Sequence, residues 1–140
     1  MITKGMMSSN TPEWATPQDL FNKLDGEFHF TLDPCATKEN AKCAYFFTKE
    51  DDGLSKNWGK EKVFMNPPYG KVIGEWVKYA WQSWLGGATV VCLLPARTDT
   101  KWFHEYIYGQ AEIRFIKGRL KFSESKNSAP FPSMIVIFKW

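Results

Sequence analysis

Val63-Phe64-Met65-Asn66-Pro67-Pro68-Tyr69-Gly70, with the apolar stretch that follows it, decides how this chain folds. Val63, Phe64 and Met65 read as a short buried strand. Two prolines in succession then forbid the ladder from continuing, because neither can donate a backbone hydrogen bond. Val72, Ile73, Trp76, Val77, Ala80, Trp81, Trp84 and Leu85 recur at steps of three and four, the period of an amphipathic helix. Gly86-Gly87 ends that helix. Ala88-Thr89-Val90-Val91-Cys92-Leu93-Leu94 is a continuous β-rich run, the pattern of a strand buried on both faces at the centre of a parallel sheet.

Outward from this strand–helix–strand unit, Thr16-Pro17-Gln18-Asp19 reads as a helix start. Thr16 is the cap, Pro17 the first helical residue, and Asp19 complements the helix dipole. Leu20, Phe21 and Leu24 form its apolar stripe. Residues 28–32 alternate toward a short strand that runs into the turn Asp33-Pro34-Cys35-Ala36. Residues 41–47 fit a helix or a short strand, with strand favoured at their end. A short helix is predicted over 100–108, and strands over 113–116 and 133–139. The alternation predicts a doubly wound α/β fold, mostly parallel, closed by a C-terminal antiparallel hairpin with Gly118 at its bend. Residues 1–13 read as a flexible leader, 14–140 as a single domain, and the polar, proline-bearing segment 123–132 as a mobile loop. Ligands of such sheets bind beyond the carboxyl ends of the strands. Asp33-Pro34-Cys35-Ala36 and Asn66-Pro67-Pro68-Tyr69 leave strands at those ends.

Composition narrows the function classes. The chain has 140 residues, 44% hydrophobic and 16% aromatic, enough for one ordinary core. A net charge of +3 is compatible with a polyanionic partner but too weak to argue for one by itself. Cys35, Cys43 and Cys92 are odd in number and none lie at CxxC spacing, and His29 and His104 are far apart. Neither a disulfide framework nor a metal site is expected. No run approaches the roughly 20 apolar residues of a membrane span, and no secretory signal is recognisable.

Asn66-Pro67-Pro68-Tyr69 carries the sharpest chemistry. The lone pair of an aromatic amine such as adenine's is delocalised into the ring and attacks an electrophile poorly. Acceptors placed on its two N–H groups pull the nitrogen toward tetrahedral geometry. The Asn66 side-chain oxygen supplies one and the Pro67 carbonyl the other, on a backbone that Pro67 and Pro68 stiffen in advance. Tyr69 offers a flat face to a base turned out of the duplex, where its amine is otherwise out of reach. No histidine base is needed. The bland alternative, a rigid exit from a strand, loses weight because the motif stands between a buried strand and an amphipathic helix.

The chain resembles the phage-type DNA N-6-adenine methyltransferase family. The likeness rests on Trp14-Ala15-Thr16-Pro17, Leu32-Asp33-Pro34-Cys35-Ala36, Asp52-Gly53-Leu54, Phe64 to Gly70, Leu93-Leu94-Pro95-Ala96-Arg97-Thr98 and Gly118-Arg119-Leu120-Lys121-Phe122, in order from residue 13 to the end. The resemblance implies a compact or truncated Rossmann-like methyltransferase fold. It implies S-adenosyl-L-methionine as donor, S-adenosyl-L-homocysteine as product, and DNA as partner, in a bacterial host cytoplasm, with protection of phage DNA from restriction as its use. Thr16 and Pro17 match the residues beside the donor's methionine end. Asp33, Pro34, Cys35 and Ala36 match the start of the donor loop, and Asp52 matches the acceptor of the donor's adenine amine.

DNA phosphates are assigned to Arg97, Arg119 and Lys121, with Lys101 and Lys117 as further candidates, each against the reading of a solvated charge. Phe122 either packs edge-on against the turned-out base or belongs to the core. One departure stands out: no glycine occurs between Leu32 and Asp51, so the family's glycine-rich donor loop is not intact. Two alternatives follow from these features: a degenerate fold that binds DNA without activity, and the same loop acting on protein glutamine or RNA. So short a chain leaves little room for a separate recognition domain, so loose sequence specificity is expected. Oligomeric state is not fixed by the sequence.

Overall fold

The computed structural model describes residues 14–123 and 125–140; the leader assigned to 1–13 lies outside the described residues. Along the chain run α1 (Gln18–Phe28), β1 (Leu32–Asp33), β2 (Tyr45–Phe46), a 3-10 turn (Gly53–Ser55), β3 (Lys62–Met65), α2 (Ile73–Leu85), β4 (Thr89–Pro95), a helical turn (Phe103–Ile107), β5 (Glu112–Phe115) and β6 (Ser133–Phe138). The strands make one six-stranded sheet in the order β2-β1-β3-β4-β6-β5. β2, β1, β3 and β4 are parallel neighbours, while β6 runs antiparallel to both β4 and β5. This is the mostly parallel α/β sheet with an antiparallel C-terminal pair that the sequence predicts.

β4 lies between β3 and β6, so its backbone is paired on both edges and every residue after Thr89 is buried. A strand so enclosed gains from apolar side chains on both faces, which is why it shows no alternation. α2 buries Ile73, Trp76, Val77, Ala80 and Trp84. Trp84 meets Phe138 of β6 at a tilt at 5.6 Å and stacks on Trp140 at 4.6 Å. α1 buries Phe21, Leu24 and Phe28, with Phe21 edge-on against Phe64 of β3 at 5.2 Å. Each such ring contributes roughly 1.5–3 kcal/mol by leaving water.

Several expectations need correction. Thr16 does not cap α1: Pro17 occupies the cap position, and no side chain caps the helix there. The Thr16 hydroxyl is instead taken up by Asn66. Residues 28–32 are not one strand. Phe21, Leu24 and Phe28 stand three and four apart, so Phe28 completes the helical stripe, and α1 ends at a left-handed His29 (φ 58°) before the two-residue β1. The helix over 100–108 forms, but it widens: the Tyr108 N–H donates to the Phe103 carbonyl, five residues back. The antiparallel pair is β5 with β6, yet they are joined by residues 116–132 rather than by a tight bend at Gly118.

The half of the sheet from β1 to β3 is shorter than a full doubly wound unit. Residues 34–44 join β1 to β2 without a helix, and only the 3-10 turn lies between β2 and β3. Because β2 lies on one side of β1 and β3 on the other, strand order reverses at β1/β3. Ligand crevices in open α/β sheets form at such reversals, outside the carboxyl ends of the strands. Here those ends are Asp33 and the residues just after Met65.

Candidate active site

Asn66 leaves β3 at the crevice, and its amide is clamped from a distant part of the chain. Nδ2 donates to the Trp14 carbonyl at 2.7 Å and to the Thr16 hydroxyl at 3.0 Å. A backbone carbonyl can only accept, so the nitrogen must be the end facing Trp14, and the amide has no alternative flip. Oδ1 is buried and has no hydrogen-bond partner among the described residues. Leaving a buried acceptor unmade costs roughly 1–3 kcal/mol, so it is a feature that calls for a reason. Among the described residues none donates to the Pro67 carbonyl either. Pro67 is buried and Pro68 half-buried. The turn closes at Gly70, whose φ of +107° suits glycine.

Tyr69 is 6% exposed, and its hydroxyl donates to the Leu93 carbonyl of β4 at 3.2 Å. Burial pushes its pKa up, opposed in part by the charge of Arg97. Three rings surround it. Trp14 lies nearly parallel at 6.4 Å and 20°, while Phe122 and Phe131 meet it edge-on at 6.5 and 5.6 Å. Phe122, 1% exposed, also meets Trp14 edge-on at 5.4 Å. The expected flat face is thus part of an aromatic box. Phe131 was not anticipated; its only signal was an aromatic between two prolines in a polar stretch.

The strap 14–16 that roofs this side is tied down twice more. Ala15 pairs with Ser123, whose N–H donates to the Ala15 carbonyl at 3.0 Å, and the Ser123 hydroxyl donates to the Thr16 carbonyl at 3.1 Å. Of the loop expected over 123–132, Ala129 is buried and donates its N–H to the Leu120 carbonyl at 2.7 Å.

On the other side of the crevice, Asp33 is 4% exposed. Its Oδ1 accepts from the Cys35 N–H at 3.3 Å and its Oδ2 from the Lys42 N–H at 3.0 Å. The carboxylate therefore does the turn-making that glycines do elsewhere, which explains how a loop without glycine is built here. Burial pushes the Asp33 pKa up to about 6, against those two hydrogen bonds. Burial first, then the Asp33 charge, raises the Cys35 thiol, so it is protonated and poorly nucleophilic at neutral pH. Pro34 and Ala36 are buried; the Ala36 N–H donates to the Phe47 carbonyl, and the Phe47 N–H to the Asp33 carbonyl. The Lys42 ammonium reaches the Gln18 side-chain oxygen at 2.7 Å, tying this loop to α1 beside Pro17.

Asp52 is exposed and left-handed (φ 58°), an uncommon conformation that Asp tolerates better than most residues. Gly53 follows with its Cα pressed on the Pro34 backbone; an added Cβ would lie 2.4 Å from the Pro34 oxygen. Asp52 is thereby held beside the Asp33 loop. The structure thus joins Thr16 to Asn66 by a hydrogen bond and sets Asp52 next to the Asp33 loop through Gly53, with Asp33 and Asn66 at the carboxyl ends of β1 and β3. The cationic candidates lie further out. Arg97, Arg119 and Lys121 are exposed and make no ion pair among the described residues, whereas Lys101 stands 3.7 Å from Glu105. Among the described residues no group of three or more His, Cys, Asp or Glu could hold a metal, and no helix is long and apolar enough to cross a membrane.

Residues 5–140 match the family described as DNA N-6-adenine-methyltransferase (Dam). A protein of Haemophilus phage HP1 named DNA N-6-adenine-methyltransferase is 33% identical over 148 residues, covering 99% of this chain and 86% of that protein. One of the same name from Escherichia phage T1 is 35% identical over 119 residues, covering 80% of this chain and 50% of that protein.

Proposed function

The chain belongs to the DNA N-6-adenine-methyltransferase (Dam) family, and from that premise we propose how this DNA adenine methyltransferase works: it methylates the N-6 amine of an adenine turned out of the DNA, with Asn66 and the Pro67 carbonyl as the acceptors that ready the nitrogen. The observation that carries this reading is the buried, unpartnered Oδ1 of Asn66 at the carboxyl end of β3. Its partner is an N–H that arrives with the substrate. The Pro67 carbonyl takes the second N–H. As the new N–C bond forms, nitrogen sheds one proton to solvent. Both acceptors are fixed beforehand, Asn66 by Trp14 and Thr16 and Pro67 by its ring, so little reorganisation remains for the moment of reaction. Tyr69, with Phe122 beside it, walls the base.

The methyl donor of the family fits the other side of the crevice. When bound, S-adenosyl-L-methionine supplies a methyl carbon on a sulfonium that leaves as the neutral thioether of S-adenosyl-L-homocysteine. Thr16, Pro17 and the loop of Asp33, Pro34, Cys35 and Ala36 would hold its amino-acid end. The exposed carboxylate of Asp52 would accept from its adenine amine. Arg97, Arg119 and Lys121 would meet DNA phosphates. In this reading the protein works in the cytoplasm of a bacterial host and shields phage DNA from restriction. Neither a glutamine or RNA substrate nor a binding-only role is favoured by any similarity found.

The test is transfer of a tritiated methyl group from S-adenosylmethionine to unmethylated DNA, with the product base identified by mass spectrometry. N-6-methyladenine formed by the wild type and lost in Asn66→Ala is expected. Transfer that survives in Asn66→Ala would overturn the role of the amide. No transfer and no donor binding by the wild type would overturn the mechanism.

A further inference from the structure

Beyond Tyr69 the chain opens a hollow of which the reading above uses only Arg97, as a phosphate contact. It is a cavity of about 340 Å³ between the start of α2 and the loop after β4, lined among others by Gly70, Lys71, Pro95, Arg97 and Trp102. That size lies at the low end of ligand pockets, roughly 300–1,000 Å³, and suits one nucleotide better than two.

Its chemistry is of two kinds. Lys71 and Arg97 are exposed cations, and neither has an ion-pair partner among the described residues. Asp99 and Glu75 lie close in sequence, but neither lines the cavity. Trp102 is half-buried and rests on α2 at Gly74, where a Cβ would come within 3.5 Å of the indole Cδ1. A glycine there lets the indole lie against the helix backbone.

The cavity is also held in place. The Arg97 carbonyl accepts from both the N–H and the hydroxyl of Thr100, at 3.3 and 2.8 Å, and the Ala96 N–H is bound to the Pro132 carbonyl at 2.9 Å. On the opposite wall, Gly70 directly follows Tyr69, about 3.8 Å further along the chain. Two exposed cations and an indole, around a cavity whose lining begins at the residue after the ring that walls the target base, match the parts of a nucleotide: a phosphate and a flat base.

We propose that this cavity is the subsite for the nucleotide next to the target adenine on the same strand, with Arg97 and Lys71 on its phosphate and Trp102 under its base. The proposal rests on the reading of the chain as a DNA adenine methyltransferase. It adds a place where a small enzyme contacts sequence context without a separate recognition domain. Base–aromatic stacking is tolerant of base identity, so the subsite contributes position more than sequence choice.

The experiment uses a duplex with a mapped target adenine. A methylphosphonate neutralises one flanking phosphate at a time, and an abasic nucleotide replaces one flanking base at a time. Both series are assayed with wild type, Lys71→Gln, Arg97→Gln and Trp102→Ala. With wild type, one flanking position should raise KM roughly three- to tenfold, and each removed cation should lower the salt slope of binding by about 1. In Arg97→Gln or Lys71→Gln the same methylphosphonate should add little, and in Trp102→Ala the same abasic site should add little, with kcat kept within about twofold. Additive losses at every flanking position would overturn the subsite while leaving the function standing. Competition by free dAMP with silent flanking changes would give the cavity to a free nucleotide and overturn it too. If wild type forms no N-6-methyladenine, the functional reading itself has failed and the subsite falls with it. Should Trp102→Ala not fold, the two exposed cations still decide the outcome.

Discussion

Asn66 takes its orientation from atoms 52 and 50 positions earlier in the chain, whereas Asp33 is satisfied by N–H groups 2 and 9 positions later. The two flank one crevice but are held by different means. Long-range bonds fix the Asn66 amide relative to the whole fold. Local bonds fix the shape of the Asp33 loop. Damage on the Asn66 side should therefore show as lost chemistry in a folded protein, and damage on the Asp33 side as lost stability and donor affinity together.

The largest effect should come from Asn66→Ala. Removal of one preorganised group of this kind typically lowers kcat by roughly 10²–10³-fold. Its stability should fall by only about 1–3 kcal/mol, because the lost oxygen is unpartnered and just the two Nδ2 hydrogen bonds to Trp14 and Thr16 go with it. An Asn66→Ala protein that unfolds would break the comparison, since the amide would then be structural.

Gly53→Ala should act on the other side. A Cβ 2.4 Å from the Pro34 oxygen forces the two loops apart, and overpacking of this kind costs typically about 1–3 kcal/mol. Urea denaturation should show that loss, and calorimetry should show weaker S-adenosylmethionine binding.

Asp33 supplies a pH dependence. Its pKa rises from 3.8 unfolded to about 6 folded, mainly by burial. The folded state thus holds the proton more tightly. Its favourable contribution is present below about pH 3.8 and is lost as pH rises through 6, where the buried charge costs on the order of 2–3 kcal/mol. Asp33→Asn keeps a carbonyl acceptor but cannot ionise. Urea melts from pH 4 to 7 should show wild type losing stability relative to Asp33→Asn. A flat difference would mean that the two backbone bonds offset burial, and a reversed one that they outweigh it.

Thr16→Val sharpens the comparison at smaller scale. It removes one of two acceptors from Asn66 Nδ2, worth about 0.5–1.5 kcal/mol. A fall in kcat of roughly three- to tenfold with KM for DNA unchanged is expected in steady-state kinetics. The smallest effect belongs to Arg119→Gln. It should leave kcat alone and lower the salt slope of DNA binding by about 1, as read by titration at several ionic strengths.

The order of the elements was legible because each stretch carries one strong period. β4 shows an unbroken apolar run and α2 steps of three and four, and both lie within a residue or two of where the sequence puts them. Phe28 was misread because an aromatic at the end of a helical stripe also begins an alternation toward Leu32. Asp33 was readable as part of a turn, but its second partner was not, since Lys42 lies nine residues on where no local pattern places it. The acceptor loop Asn66-Pro67-Pro68-Tyr69 was visible as chemistry. What orients it was not, since the Trp14 carbonyl is a backbone atom that residue identity cannot signal.

The strap 14–16 has a consequence in time. Trp14 and Thr16 are made on the ribosome before Asn66, and Ser123, which ties the strap down, later still. The Asn66 amide is therefore aimed across 52 positions by a strap that is itself pinned from 107 positions away, and such distant closures come late in folding. A nascent or truncated chain holds the motif without its aim. Methylation should switch on once Ser123 is in place rather than grow with chain length.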